Sequence, residues 1–514
     1  MKTKLILIAL LSACFVSRAQ TIEVNGFQTG IWDADTVLVT GNVTVADSLQ
    51  VRPGTMVLFE GFYGILVPKD ATFEALGTEA DSIVFTADKG GWDGFKLERS
   101  GRFKLDYCVL EHGESIDSLE FFGGAMSIQN SEDVQIFHST LRYNTSYKRG
   151  GAINALESRV EMQSCSLHHN SVLYAVDQFN YGGAASFLKC DVELQEMEFR
   201  DNDGSVCIGG ALSFDSCSVV LDKSIFVDNV GVNGGGLYLM RSFDRECKLS
   251  NLLFDHNYSL HFGGGFAISD ASPEVSNVLV FNNSSEGVSC NGVFFYGLCS
   301  PRMINCIVYG NYSPHPELIV DTAQMWAWTF DETGPSFYNC LVEGGKRFIH
   351  SPENVLAFEN VIDADPMFVD AANHDFRLAE GSPCIDAGDP NTPDYVLNGI
   401  DLNGLPRVIN QRIDIGPYEY SPAAVSENPA ASFAKLVGNP LHAQSRIVTN
   451  LSRPQKVTVK VCSMTGHMIT ELVFHANAGL QEWKLEGMAE KLASGLYVFE
   501  VITEDGACAI KAIR

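Results

Sequence analysis

Apolar and polar residues alternate in short runs over most of the chain, and turn-forming residues separate these runs. Examples are ALSF at 211–214, SVVLD at 218–222 and LYLM at 237–240. No apolar stretch between them keeps a helical period long enough for a crossover helix. The pattern therefore predicts many short β-strands joined by tight turns.

A longer period groups these strands into repeated units. An apolar residue followed three positions later by Asn recurs at Leu141/Asn144, Leu167/Asn170, Phe199/Asn202, Phe226/Asn229, Phe254/Asn257, Val280/Asn283 and Val308/Asn311. Successive Asn residues are 26, 32, 27, 28, 26 and 28 positions apart. Glycine pairs accompany them at Gly123-Gly124, Gly150-Gly151, Gly182-Gly183, Gly209-Gly210, Gly235-Gly236 and Gly264-Gly265, and Asn291-Gly292 keeps one glycine. Such a period predicts a β-solenoid, in which each coil packs only against its neighbours.

The repeated Asn and Gly residues have structural roles in this interpretation. Glycine permits a positive φ at a repeated corner. Aligned Asn side chains can hydrogen-bond to the adjacent coils, which satisfies turn backbone groups that would otherwise be buried without partners. We therefore expect the Asn column to be structural and not catalytic.

A second set of residues, at a fixed distance from each Asn, supports this alignment of neighbouring coils. Small or apolar residues stand five positions before each Asn, or before the equivalent Gly113 and Gly345: Cys108, Ser139, Cys165, Met197, Ser224, Leu252, Val278, Cys306 and Cys340. Cys190 and Cys217 are likewise equivalent on adjacent coils. Coils repeat at about 4.8 Å, a Cα separation that a disulfide tolerates, although parallel Cβ vectors disfavour it. The pairs Cys190–Cys217 and Cys306–Cys340 are therefore either disulfides or stacked free thiols, and stacked thiols are the preferred interpretation.

The residues before the first Asn show the same architecture with different turns. Residues 36–98 alternate apolar and polar positions and turn at Pro53-Gly54, Gly77-Thr78 and Gly90-Gly91. This region resembles the opening coils of a right-handed parallel β-helix of the pectin-lyase-like class. The Gly-Gly-Ala and apolar-x-x-Asn phrases resemble the repeats of polymorphic outer-membrane proteins. The resemblance implies an all-β fold with a right-handed parallel β-helix over residues 20–362.

The first 19 residues have the features of a secretory signal peptide. Two lysines precede an apolar run at 5–16, and SRA at 17–19 precedes Gln20. We expect cleavage between Ala19 and Gln20 and hence a secreted protein. The alternative is a lipoprotein signal, because LSAC at 11–14 matches a lipidation box at Cys14. No other segment reaches about 18 apolar residues, so no transmembrane span is predicted.

Composition and charge limit the classes of molecule that the protein is expected to bind. The chain is 46% hydrophobic, which argues against disorder. It has 35 Lys and Arg against 63 Asp and Glu, a net charge of −28, and the acidic excess lies within residues 20–435. Such a surface repels nucleic acid and anionic lipid, so neither is an expected partner.

Residues 363–420 change to a different set of motifs. These are Asp365-Pro366-x-Phe368, Phe376-x-Leu378, Ser382-Pro383-Cys384-Ile385-Asp386-Ala387-Gly388, Pro406-Arg407 and Asp414-Ile415-Gly416-x-Tyr418-Glu419. The segment resembles the choice-of-anchor Q module of bacterial β-helix proteins, with Pro417 where a small residue is usual. Because an open terminal coil would promote edge-to-edge association, we expect the segment to cover that end.

The carboxylates of this segment raise the question of a metal. Asp386, Asp389, Asp401 and Asp414 are oxygen donors of the kind that Ca²⁺ binds. Capping of turns by Asp is the commoner use and the preferred interpretation. Calcium is thus an alternative, and no other cofactor is expected.

A linker and a final all-β module complete the chain. Residues 421–435 are small, polar and Pro-bearing. Residues 436–514 are similar to the type IX secretion C-terminal sorting domain at Asn439-Pro440, Val457-x-Val459-x-Val461, Gly466, Leu492-x-x-Gly495-x-Tyr497 and Lys511. Ser463 stands where that family often has Asp. The resemblance implies a β-sandwich-like domain that engages the type IX secretion machinery, with export to the cell surface or the medium.

Two classes of function remain open for the β-helix. The first is a polysaccharide lyase or glycoside hydrolase, since the pectin-lyase-like fold hosts both along its strands. Lyases need a cation and a base, and hydrolases need two carboxylates. The chain lacks the polygalacturonase phrases Asn-Thr-Asp, Asp-Asp, Gly-His-Gly and Arg-Ile-Lys, and Arg142, His168-His169, Lys189 and Arg200 form no repeated cationic column. We interpret His168 and His169 as surface residues and predict no catalytic residue.

The second class is a carbohydrate-binding or structural surface protein, which we favour. The longest insertions are residues 171–181 and 312–337, and loops on a rigid scaffold often carry specificity. Trp326 and Trp328 lie two positions apart, so they share one face of a strand, where indole rings can stack on sugars. The alternative is that both pack against a coil. We predict them as candidate ligand-binding residues.

Overall fold

Three parallel sheets, each with one strand per coil, form the faces of a β-helix in the computed structural model of this protein. The predicted all-β, parallel β-helix architecture is confirmed. The long first strands, Ala19–Trp32 and Ala34–Val51, pair with each other in parallel and run along all three faces.

The structure describes residues 19–115, 123–173, 180–287, 290–314, 324–409 and 412–421, with 434–437, 446–451, 453, 455–463, 468–477, 479–485, 492, 496–503 and 506–513. The chain forms two compact units, residues 1–420 and 421–514. The boundaries predicted at 362, 420 and 435 stay predictions.

Each face continues from the long strands as a ladder of short ones. Face 1 contains Ile65–Val67, Phe95–Glu98, Met126–Gln129, Ile153–Leu156, Ala185–Leu188, Leu212–Asp215, Leu237–Met240, Phe266–Ser269, Val293–Gly297, Met325–Thr329 and Ile349–His350. Face 2 contains Thr72–Leu76, Arg102–Asp106, Asp133–Phe137, Arg159–Gln163, Asp191–Gln195, Ser218–Asp222, Cys247–Ser250, Glu274–Ser276, Arg302–Ile304, Ser336–Tyr338 and Ala357–Glu359.

Face 3 contains Met56–Phe59, Ile83–Ala87, Cys108–Glu111, Thr140–Arg142, Ser166–His168, Glu198–Arg200, Ile225–Val227, Leu253–Asp255, Leu279–Phe281, Ile307–Tyr309 and Leu341–Val342. A fourth set, the lateral sheet, follows face 3 in the coils between residues 140 and 285 and contains Thr145–Ser146, Ser171–Val172, Asn180–Tyr181, Asp203–Ile208, Val230–Asn233, Tyr258–Phe262 and Ser284–Ser285.

Inward side chains stack in columns and form the core. Phe199, Phe226 and Phe254 stack with ring centroids 4.8 and 4.6 Å apart. The column five positions before the Asn residues is buried throughout, as predicted. The cysteines of this column, and Cys190 and Cys217 of another, are free thiols: the backbone N–H of Cys306 donates to the sulfur of Cys340, and the N–H of Cys190 donates to the sulfur of Cys217. The structure therefore has stacked thiols at both pairs.

The Asn residues form one continuous buried hydrogen-bond ladder. The Nδ2 of Asn202 donates to the Oδ1 of Asn229 and to the carbonyl of Leu167, both at 2.9 Å. The same contacts link neighbours from Asn144 to Asn311. Gln324 takes the next position, its Oε1 accepting from Asn311 at 2.8 Å. The predicted structural role of this column is confirmed.

The glycine column is confirmed, but its predicted register is wrong by one residue in two coils. Leu212 pairs with Leu237, so Gly209-Gly210 aligns with Gly234-Gly235 and not with the next pair. A Cβ on Gly210 would lie 1.9 Å from the carbonyl oxygen of Gly235 in the next coil. The same shift by one applies at 263–265. Close approach of adjacent coils thus requires glycine here.

Residues 363–420, the flank segment, contain the strands Phe368–Asp370 and Asp375–Leu378 and the short helix Asp394–Leu397. Three 3₁₀ helices also occur, at Gly345–Phe348, Pro352–Asn354 and Ala371–Asn373. No helix among the described residues is long and apolar enough to cross a membrane.

The flank segment packs against the side of the β-helix. Its Phe376, Leu378 and Ile415 share a buried apolar cluster with Leu279 and Ile307, whose side chains point out of face 3. Three Asn side chains of consecutive coils anchor it: Asn277 donates to Gly416 O, Asn305 to Thr392 Oγ1 and Asn339 to Ala387 O, at 2.8, 2.8 and 2.9 Å. These described contacts lie along the flank of the β-helix, and the expectation that the segment covers the open end stays a prediction.

The second unit consists of two antiparallel sheets. One contains Ala434–Val437, Arg446–Leu451 and Gly479–Lys484. The other contains Gln455–Ser463, Met468–Ala476, Leu496–Thr503 and Gly506–Ile513. This all-β arrangement agrees with the predicted β-sandwich-like fold.

Candidate ligand-binding face

The lateral sheet packs on the outer side of face 1 and turns that side into a partly apolar surface. Ile208 and Phe262 of the lateral sheet contact an outer cluster that includes Tyr238, Met240 and Phe294 of face 1. Outward side chains on the face 1 strands of this region are therefore buried as well as the inward ones. The cluster ends at the strand Met325–Thr329, where aromatic rings reach solvent.

Trp326 and Trp328 both point outward from that strand, because Met325 and Ala327 lie in the core. The two indole rings are stacked with centroids 5.0 Å apart and an angle of 10° between planes. Trp326 is half-buried and packs on Phe294 and Phe262. Trp328 is 43% exposed. The two predicted residues thus have different environments: Trp326 is packed against other rings and supports Trp328, whose ring is exposed to solvent.

Neighbouring aromatic side chains extend this surface. Tyr296 lies beside Trp328 on the adjacent strand, with centroids 5.5 Å apart, and Phe330 lies 5.7 Å from Tyr296. Tyr296 and Phe330 are both exposed. We call Tyr296, Trp326, Trp328 and Phe330 the aromatic platform. Rings held by a stacked neighbour and open to solvent present a flat apolar surface with little conformational freedom.

A charged cluster lies on the same outer side, toward the N-terminal coils. Asp215 is buried and accepts a hydrogen bond from Arg241 Nε at 2.9 Å. Arg149 lies over the ring of Tyr181 at 4.2 Å and interacts electrostatically with both Asp215 and Arg241. Burial lowers the pKa of Arg149. These residues come from four coils, which is why their separate positions in the sequence gave no motif.

The distance between cluster and platform follows from the coil repeat. Asp215 and Trp328 occupy equivalent outward positions, linked through Met240, Ser269 and Tyr296. At about 4.8 Å per coil, the four steps span roughly 19 Å. A molecule that contacts both groups would have to span this distance.

His168 and His169 lie on another side, at the corner after face 3. His169 is exposed, in agreement with the prediction, and His168 is half-buried, with the two Nδ1 atoms 2.9 Å apart. Burial lowers the pKa of His168 to about 4, and the nearby His169, Arg142 and Arg200 add to this effect. The imidazole of His168 is therefore neutral near pH 7 and carries no extra proton to donate. This does not fit a general-acid role near neutral pH.

Three of the four Asp residues considered for calcium accept hydrogen bonds from backbone groups of the flank segment. Asp414 accepts from Asp386 N at 2.6 Å, and Asp401 accepts from Leu405 N and Glu419 N at 2.7 and 2.8 Å. Asp389 accepts from Asn391 N at 2.8 Å. Burial raises the pKa of Asp414 to about 6. The calcium alternative stays a prediction, and these contacts are those of turn capping.

The structure describes only some residues of the predicted cleavage site and of the predicted sorting motif. Ala19 begins the first strand, and the side chains of Ala19 and Gln20 lie outside the described residues. Asn439, Pro440, Gly466 and Gly495 also lie outside them. Tyr497 and Lys511 stand on the paired strands Leu496–Thr503 and Gly506–Ile513, as backbone positions only. The cleavage site and the sorting motif stay predictions.

Comparison with known proteins adds little to this description. No family model matches the chain, and no curated protein matches it. Among solved structures, the chain is similar to the Acinetobacter phage vB_ApiP_P1 tailspike protein, with 10% identity over 96% of this chain and 73% of that one, and a TM-score of 0.20. A similarity at that score carries no argument about fold or function, so the fold rests on the strand pairings above.

Proposed function

We propose that this protein is a carbohydrate-binding surface protein whose β-helix binds an extended polysaccharide along the outer side of face 1. The observation that carries the proposal is the aromatic platform, in which solvent-exposed Trp328 stacks on a supported Trp326. Exposed large aromatic side chains held rigidly in one patch are typical of binding surfaces. Indole faces suit the apolar faces of pyranose rings.

The repeat geometry supports a polymer as the ligand. Equivalent positions recur at about 4.8 Å along the solenoid, so a chain of sugars aligned with the axis keeps a constant orientation relative to successive coils. The strong negative charge of the chain disfavours uptake of polyanions at most of the surface. The two arginines near Asp215 are a local exception, where a single uronate could bind.

The test compares three forms of the full chain: wild type, Trp328→Ala and Phe27→Ala. Phe27 is 80% exposed and lies in the first strand, so it is a matched exposed aromatic residue far from the platform. On a panel of neutral and uronate-bearing polysaccharides, we expect Trp328→Ala to weaken retention about tenfold, the upper range of one aromatic contact. Phe27→Ala should bind as wild type, and neither variant should change the melting temperature by more than a few degrees.

Trp326→Ala separates binding from packing. Because Trp326 contacts Phe294, Phe262 and His350, its removal should lower the melting temperature as well as retention. If Trp328→Ala retains every polysaccharide as well as wild type does, the platform does not bind glycans and the proposal fails.

The second candidate function is a uronate lyase, and the cluster of Arg149, Tyr181, Asp215 and Arg241 is the observation that favours it. Such a lyase needs a cation that neutralises the uronate and a group that abstracts a proton. The guanidinium groups supply the first requirement. A hydrolase finds less support, because this cluster contains one carboxylate and not the flanking pair that hydrolysis requires.

We also propose that the protein is exported and acts outside the cell, through the leader at 1–19 and the sorting-like module at 436–514. The motifs of both segments support this route. Fractionation of a host with type IX secretion should find the full chain outside the outer membrane and a chain lacking 436–514 in the periplasm. Export of the truncated chain would contradict this role, and accumulation of a lipid-labelled form would favour Cys14 as the alternative.

A further inference from the structure

Asp255 of face 3 is a buried carboxylate held between two histidines. It has no solvent exposure, and its two oxygens lie 2.6 Å from the Nδ1 atoms of His256 and His374. Among the described residues, these are the ion-pair partners that the structure gives it. A buried carboxylate is costly unless a positive charge compensates it.

The position of Asp255 in its column makes this feature unusual. The equivalent residues on the two adjacent coils are Val227 and Phe281. On the two coils before Val227, the same column carries Arg200 and then His168, which face solvent in part. An acidic group is thus inserted into an apolar part of the interface, where packing alone would favour an aliphatic side chain.

The two histidines come from different parts of the fold. His256 is the corner residue before the ladder residue Asn257, with a φ of 55°. His374 ends the 3₁₀ helix of the flank segment, and it precedes Phe376, which is buried against face 3. Both backbones are therefore fixed by buried neighbours. The cluster joins the β-helix to the flank segment at one point.

We propose that Asp255, His256 and His374 form a binding site for a borderline divalent transition-metal ion of the Zn²⁺ type. The three ligand atoms lie within 4.8 Å of one another. Two imidazole nitrogens and one carboxylate oxygen are a common ligand set for such ions, whereas Ca²⁺ and Mg²⁺ prefer oxygen ligands alone. Three protein ligands leave a coordination position for water.

The bound ion would neutralise the buried carboxylate and link the flank segment to the coils. Both histidines are exposed, so an ion has access from solvent. Because ligands on two elements are joined through one ion, binding should stabilise the docked arrangement of the flank segment. This inference does not depend on the proposed carbohydrate binding, since the site lies on face 3 and the aromatic platform on face 1.

The experiment is a calorimetric titration of Zn²⁺ into the chelator-treated full chain, repeated for His374→Gln and His256→Gln. Glutamine keeps an N–H donor for Asp255 but is a poor zinc ligand, so folding should be retained. We expect one high-affinity ion per wild-type chain, a higher melting temperature with zinc, and affinity at least about tenfold lower in each variant. Ca²⁺ should not compete.

The matched control is the double variant His168→Gln/His169→Gln, which removes another pair of adjacent histidines, one half-buried and one exposed. It should bind Zn²⁺ as wild type does. The proposal is wrong if the wild type binds no stoichiometric zinc, if His374→Gln binds it equally well, or if the control loses as much affinity. In each of those cases the cluster is a hydrogen-bonded contact only.

Discussion

At the scale of single residues, the Asn ladder is the feature on which the β-helix most depends. Asn202 is buried, accepts from Asn170 and donates to Asn229 and Leu167. Asn202→Ala leaves several backbone and side-chain groups buried without partners, each costing about 1–3 kcal/mol. We expect a loss of about 3 kcal/mol or more in the free energy of unfolding, measured with denaturant.

The control for this prediction is Asn130→Ala. Asn130 is exposed and has a φ of 50°, so its replacement costs only the strain of a left-handed residue, about 1 kcal/mol. If both variants lose the same amount, the ladder contributes no more than any left-handed corner does.

His168 gives a pH dependence of defined sign. Its pKa falls from 6.5 to about 4 in the folded protein, so the unfolded chain binds more protons between these values. Stability from this residue is therefore present above pH 6.5 and is lost as the pH falls toward 4. The melting temperature of the His168→Gln variant should fall less between pH 6.5 and pH 4 than that of wild type. Thermal unfolding at each pH measures this difference. An NMR titration with a His168 midpoint near 6.5 would contradict this.

The residue-level features differ in how well the sequence predicts them. The Asn column follows from its spacing, because one residue type recurs at one corner. Gln324 does not, since it completes the ladder from a position 13 residues after Asn311. The left-handed conformation of Tyr143 and His169, next to the ladder, is also unpredictable from residue type, because coil stacking overrides their preference.

At the scale of elements, contact between adjacent coils limits most strongly which side chains a position can carry. Gly210→Ala would place a methyl group 1.9 Å from Gly235 O, a backbone atom that cannot move independently. We expect a loss of more than about 4 kcal/mol or failure to fold. Gly90→Ala is the control: Gly90 has a positive φ and no atom within 4 Å of an added Cβ, so a loss of about 1 kcal/mol is expected from backbone strain alone. Equal losses in urea unfolding would show that the close approach of Gly235 O costs no more than this strain.

The stacked cysteines predict a chemical signature. Cys190, Cys217, Cys306 and Cys340 are buried and free, and burial raises the pKa of Cys217 and of Cys306 above the ordinary value of a thiol. Because all four sulfurs are shielded from solvent, a thiol reagent should leave the native protein unmodified at these sites. After unfolding without reductant, all four should react. Missing reactivity at either pair, located by mass spectrometry of peptides, would show a disulfide.

The packing of the flank segment on face 3 has a signal in the sequence. Strands such as Glu198–Arg200 alternate polar and apolar residues, because only one side is buried. Leu279–Phe281 and Ile307–Tyr309 are continuous apolar runs, which are typical of strands buried on both sides. These runs predict a covering element on face 3, but they do not identify residues 363–420 as that element.

At the scale of the whole molecule, the fold could be predicted from period and composition, and the ligand-binding face only in part. Trp326 and Trp328 are recognisable because they share a strand face. The cluster around Asp215 and the cluster around Asp255 are not, since their members come from different coils or from the flank segment. Functional residues on a solenoid are neighbours across coils, and the chain separates them by a full repeat or more.

The most direct test of carbohydrate binding incubates the full chain and Trp328→Ala with neutral and uronate-bearing polysaccharides, with Ca²⁺ or chelator present. Both retention of the polysaccharide and the appearance of new unsaturated or reducing ends are followed. We expect retention of at least one polysaccharide by wild type, weaker retention by Trp328→Ala, and no new ends. New ends would make the protein a glycan-degrading enzyme, with unsaturated ends pointing to the Arg149 and Arg241 cluster. Retention that is absent, or unaffected by Trp328→Ala, would contradict the carbohydrate-binding role of face 1.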